Sequence, residues 1–161
     1  MTANSSAQII GRAERVDFPD LKINGIPARI DTGAKTSAVW ASGIIEEHGT
    51  LQCVLFGPDS PFYSGEVLRF TEYSLRTVAS SIGEPEERYV VKLTMALKDR
   101  VISANFTLAN RAQQVYPMLI GRNVLKGKFI VDVTQCAALT AEEQTRPKKL
   151  QASVSGREEK S

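Results

Sequence analysis

Apolar residues along this chain recur mostly at alternate positions or in short runs, and turn-forming residues separate them. That is the pattern of many short strands. IIGRAERVDF and LKINGIPARID read as two strands joined through Pro19-Asp20, and Asn24-Gly25 inside the second is a hairpin-turn signal. SAVWASGIIEE reads as a short strand or a helical turn, and LQCVLF as a strand. Residues 66–69 and 74–79 read as further extended segments, and SSIGEPEE as a turn or loop. RYVVKLTMALKDRVISANFTLAN divides into two strands about a turn at Lys98-Asp99-Arg100. In YPMLIGRNVLKGKFIVDV, PMLI is a short apolar strand, GRNVLKG a compact helical turn and KFIVDV a last strand. The expected class is therefore all-β, a closed β barrel with one or two short helices.

The pattern also sets the expected boundaries. Residues 1–8 are small and polar and are expected to fray. Residues 9–139 carry the strand pattern and form the expected domain. From Thr140 to Ser161 the chain holds Pro147, five Lys/Arg and four Asp/Glu, with few large apolar residues, the composition of a disordered tail. With 161 residues, 42% apolar and 24% charged, the chain has the make-up of one soluble domain. A net charge of +2 is too small to argue for nucleic acid. No run approaches the roughly 18 apolar residues of a membrane span. MTANSSAQII lacks the basic and apolar regions of a signal peptide. Cys53 and Cys136 make no disulfide framework, and a reducing cytoplasmic setting is expected.

The candidate chemistry centres on ARIDTGAKTSAVWA, residues 28–41. Asp31 sits where an apolar strand ends, followed by Thr32, by Gly33, which permits a tight turn, and by the small Ala34. Alone, Asp-Thr-Gly is most often an Asx-type turn. Later, Leu119-Ile120-Gly121 repeats an apolar pair ending in glycine before a short helix. Together these segments resemble the retropepsin-like aspartic proteases. More narrowly, IGR near the start, IDTGAKTSA, Glu86-Glu87-Arg88 and PMLIGRNVLKGKFIVDV resemble a bacterial family labelled ATP-dependent zinc proteases. That family includes the RimB-like proteins encoded beside RimK-type glutamate ligases.

The resemblance implies a retropepsin-like acid-protease barrel, one lobe per chain, with Asp31 catalytic. Thr32, Gly33, Ala34, Ser37, Ile120 and Gly121 would support the active-site loop. Thr32 would bond across a dyad, Gly33 would bring N–H groups to the carboxylates, and Gly121 would lie under the loop beside Ile120. A flap would fall within residues 61–86. Lys35 and Arg122 are candidate substrate contacts, and Arg122, Lys126 and Lys128 read otherwise as a solvated face. Such a peptidase needs two carboxylates sharing a proton. This chain has a single Asp-Thr-Gly, and Asp132 lacks the glycine. A symmetric homodimer is therefore expected to complete the site. The implied substrate is a peptide or protein, glutamate-rich if the ligase link holds.

The zinc and ATP labels find little support in the residues. His48 is the only histidine, and there is no H-E-x-x-H or C-x-x-C. No metal site and no cofactor are expected. Each cysteine reads as a small buried residue. GRNVLKGK misses a P-loop: five residues separate its glycines and Phe129 replaces the magnesium-binding hydroxyl. Trp40 reads as core or interface. Two rivals stay open, an inactive binding module on the same fold and a zinc-dependent peptidase.

Overall fold

The structure is a computed structural model that describes residues 6–79 and 83–135. Within them lie eleven strands: β1 Gln8–Ile10, β2 Ala13–Phe18, β3 Ile23–Ile30, β4 Ser37–Glu47, β5 Thr50–Leu55, β6 Val67–Phe70, β7 Ser74–Ala79, β8 Pro85–Leu97, β9 Arg100–Ala109, β10 Met118–Ile120 and β11 Phe129–Val131. One short helix, α1 Arg122–Leu125, separates the last two. No helix among the described residues is long and apolar enough to cross a membrane.

Six strands close on themselves. The path runs β3, β2, β8, β9, β4 and β10, and β10 returns to β3. Strand β10 makes the closure because it pairs parallel with β3 on one side and antiparallel with β4 on the other. Alternation supplies the interior: Ala13, Val16 and Phe18 of β2 and Ile102, Ala104 and Phe106 of β9 are buried at every second or third position. Phe18 and Phe106 meet edge to face at 6.2 Å inside the ring. Strands β5 and β6 extend the sheet beyond β4, and β7 folds against β8. Trp40 is core: the indole stands so close to Gly57 that a Cβ there would lie 2.5 Å from the ring.

Two local expectations are corrected. Asn24-Gly25 is not a turn. It lies inside β3 as a bulge, where the register against β2 shifts between Val16 and Phe18. Gly25 takes φ +73, and its N–H donates to Asp17 Oδ1 at 2.8 Å. The connection between β2 and β3 falls at Pro19-Asp20 as expected, in a 3-10 turn over Pro19–Leu21 closed by Lys22 in the left-handed region. The second correction concerns SAVWASGIIEE, which is one eleven-residue strand. It bends at Gly43, φ +58, where its register against β5 shifts. Its first five residues are buried, and the rest leave the core.

Gln8, expected to fray, opens β1 and pairs in parallel with Phe129 of β11. Residues 1–5, the tail from Thr140 and Cys136 lie outside the described residues. The stretch expected to hold a flap contains β6, β7 and the start of β8, and residues 80–82 of the β7–β8 connection also lie outside them.

Candidate active site

Because β10 sits between β3 and β4, the segment that leaves β3 and returns as β4 must arch over the end of β10. That arch is residues 31–36. Main-chain bonds fasten it to the segment that follows β10. Asp31 N–H donates to Ile120 O at 2.8 Å, Arg122 N–H to Ala34 O at 2.8 Å, and Asn123 N–H to Lys35 O at 3.2 Å. Within the arch, Ala34 N–H donates to Asp31 O at 3.2 Å. Gly33 N–H donates to Asp31 Oδ1 at 3.0 Å, which orients one carboxylate oxygen. Asp31 is half-buried, while Thr32 and Gly33 are exposed.

Ser37, fully buried at the start of β4, ties the two segments from below. Its Oγ accepts from Gly121 N–H at 2.9 Å and donates to Asn123 Oδ1 at 2.8 Å. Asn123 Nδ2 in turn donates to Asn105 O at 2.8 Å, which links the arch to β9. Ser37→Ala leaves the buried Gly121 N–H without its acceptor and takes the donor from Asn123 Oδ1, and it is expected to cost about 1–3 kcal/mol of stability. Urea denaturation of the two proteins measures that loss, and an unchanged midpoint would refute this role for the hydroxyl. Ile120 is fully buried at the end of β10, and Gly121 caps α1.

Asp31 opens onto a cleft of about 550 Å³ lined by Arg12, Arg29, Arg111, Gln114, Tyr116 and Val133, among others. Three arginines and one carboxylate are among its described lining residues. Burial, with help from the neighbouring charges of Arg88 and Arg29, pushes the Arg111 guanidinium down to about 10, against the pull of Asp31. Arg111 Nε donates to Tyr116 O at 3.0 Å. Lys35 and Arg122 do not line this cleft. Arg122 donates through Nη1 to Thr32 O at 3.1 Å and braces the arch, and Lys35 is exposed. Sequence reasoning missed Arg12, Arg29 and Arg111 as site residues. Arg29 carried a faint signal, a cation at the strand position just outside the apolar Ala28 and Ile30.

The residues weighed for zinc are separated by their surroundings. His48 lies in the β4–β5 turn, whereas Cys53 is fully buried in the core. Burial pushes its thiol up to about 11. Among the described residues no three His, Cys, Asp or Glu side chains come together. GRNVLKGK forms α1 and the turn after it.

A probable alpha-L-glutamate ligase of Desulfotalea psychrophila is 31% identical over 148 residues, which is 85% of this chain and 31% of that protein. A probable alpha-L-glutamate ligase of Shewanella pealeana is 33% identical over 136 residues, 81% of this chain and 30% of its own length. The chain thus spans about a third of the length of these curated relatives. A solved Legionella pneumophila protein of unknown function (DUF785) superposes with a TM-score of 0.61 at 29% identity, covering 81% of this chain and 96% of that one. The model of the RimB-like family, described as retropepsin-like aspartic endopeptidase RimB, matches residues 9–141, and this chain belongs to that family.

Proposed function

We propose that the chain is one half of a homodimeric aspartic peptidase. The observation that carries this reading is Asp31, held by a braced arch at the mouth of a cleft in which it is the single carboxylate among the described lining residues. One carboxylate cannot both take a proton from water and hold one toward the scissile carbonyl. Asp31 of the partner subunit would supply the other across a twofold axis. Two carboxylates that close share one proton and titrate as a pair. The ionised member takes a proton from water, whose oxygen attacks the peptide carbonyl carbon. The protonated member hydrogen-bonds the carbonyl oxygen as negative charge develops there. Collapse of the tetrahedral species breaks the C–N bond, and the amine leaves with a proton from the dyad. Val133, 69% exposed at the cleft, offers apolar surface that a second copy would cover.

The substrate in this reading is a peptide or protein, glutamate-rich, in the cytoplasm. Its support is the family and the glutamate-ligase names of the relatives. A second reading has one observation in its favour: the matched relatives are named probable alpha-L-glutamate ligases, and this region is about a third of their length. There it would serve as a binding or regulatory module.

Hydrolysis separates the two readings. The purified protein, with its dimer confirmed by sedimentation, is incubated with a mixed peptide library that includes polyglutamate tails, from acid to neutral pH, with and without chelator. Chelator-insensitive cleavage supports the peptidase. A dimer that cleaves nothing favours the module, and cleavage abolished by the chelator favours a metallopeptidase.

A further inference from the structure

The charge in the cleft is out of balance. Arg12, Arg29 and Arg111 line it from the start of the chain, from β3 and from the loop after β9, and Asp31 is the only acidic side chain among the described lining residues. Arg88 of β8 adds a fourth cation whose charge reaches Arg111, although it is itself engaged by Glu86 at 2.8 Å. Converging like charges oppose folding. Arg29 and Arg111 are suited to an anion brought in from outside. A guanidinium presents its donors in a planar fork that matches a carboxylate in two-point contact. At about 550 Å³ the cleft has room for one or a few peptide residues beside Asp31.

We infer that Arg29 and Arg111 form a carboxylate-reading subsite of the Asp31 cleft and determine which peptides dock beside that aspartate. This rests on the peptidase reading for what happens next, but docking itself can be measured separately. The carboxylate is either a glutamyl side chain or the C-terminus of the peptide, and both offer the same chemistry. Lys35 and Arg122, the cations the local sequence nominates, lie off the cleft lining.

The test is binding to the full chain carrying Asp31→Asn, which keeps the peptides intact. Fluorescence anisotropy follows labelled tetraglutamyl amide, tetraglutaminyl amide and tetraglutaminyl free acid. The glutamyl peptide, the free acid or both are expected to bind at least about tenfold tighter than the glutaminyl amide, and the preference should weaken with salt. Whichever wins identifies the source of the carboxylate. Arg29→Gln and Arg111→Gln should each remove about tenfold of the preference. Lys92→Gln, an exposed cation on β8 away from the cleft, should leave it unchanged. Arg111 also holds the Tyr116 carbonyl, so Arg111→Lys and the exposed Arg29 guard against a variant that merely misfolds. Equal binding of all three peptides overturns the subsite. So does a preference that survives both arginine changes, or one that Lys92→Gln erases equally. Wild-type turnover then separates the two ideas. Cleavage without carboxylate preference sinks the subsite alone, and preference without cleavage sinks the peptidase alone.

Discussion

Gly121→Ala is expected to unseat the arch that carries Asp31. A Cβ at this position would lie 2.3 Å from Thr36 O and 2.8 Å from Ala34 O. Both are main-chain atoms, so no rotamer change can make room. Ala34 O is moreover the acceptor of Arg122 N–H, one of the bonds that fasten the arch to the segment after β10. Backbone conformation is not the obstacle, because Gly121 has φ −100. The expected cost is about 3 kcal/mol, toward the upper end for forcing an extra methyl into a packed site. Hydrogen exchange at residues 31–37 and 120–123 should accelerate well beyond that in the rest of the ring. Gly33→Ala is the comparison: its Cβ would meet only the Asp31 Oδ1 at 3.3 Å, a contact that a small side-chain shift relieves. An alanine at 121 that leaves the urea midpoint and the exchange of the arch at wild-type values would show that the close approach is not what demands glycine there.

Local patterning and non-local closure account for what the chain disclosed and what it withheld. The alternation of β2, β5 and β9 is visible because each buries one face, and the Lys98-Asp99 turn is visible because it joins neighbours in sequence. Asn24-Gly25 misled because the same dipeptide serves a bulge as well as a turn: both need a residue at positive φ, and only the pairing with Asp17 decides between them. The length of β4 was hidden because its buried half reads as apolar on both faces, a run that periodicity alone does not separate from a helical turn. At the site, Asp31 and Gly121 stood out because each belongs to a contiguous motif. Their mutual fastening through Ser37 and Asn123 depends on β10 entering between β3 and β4, which no window of sequence displays. The cleft arginines come from positions 12, 29 and 111, and only the closed ring brings them together.

Asp31→Asn is expected to abolish turnover while leaving the fold intact. Asparagine keeps the shape of the side chain and an oxygen to accept the Gly33 N–H, and the Asp31 main-chain bond to Ile120 O is untouched by the change. Thermal unfolding should therefore stay close to wild type. The amide cannot accept a proton from water at any working pH, and in the proposed homodimer the variant would lose both members of the dyad. General acid–base groups contribute on the order of 10²–10⁴-fold each, so the rate should fall by at least that factor. Mixed subunits make the test sharper. When wild-type and variant chains pair at random in equal amounts, about a quarter of the dimers retain both carboxylates. Activity should then follow the square of the wild-type fraction. A linear decline would mean that each chain works alone and that its partner in the dyad is not a second Asp31. Activity that Asp31→Asn leaves unchanged would remove this residue from the chemistry altogether, and with it the peptidase reading of the cleft.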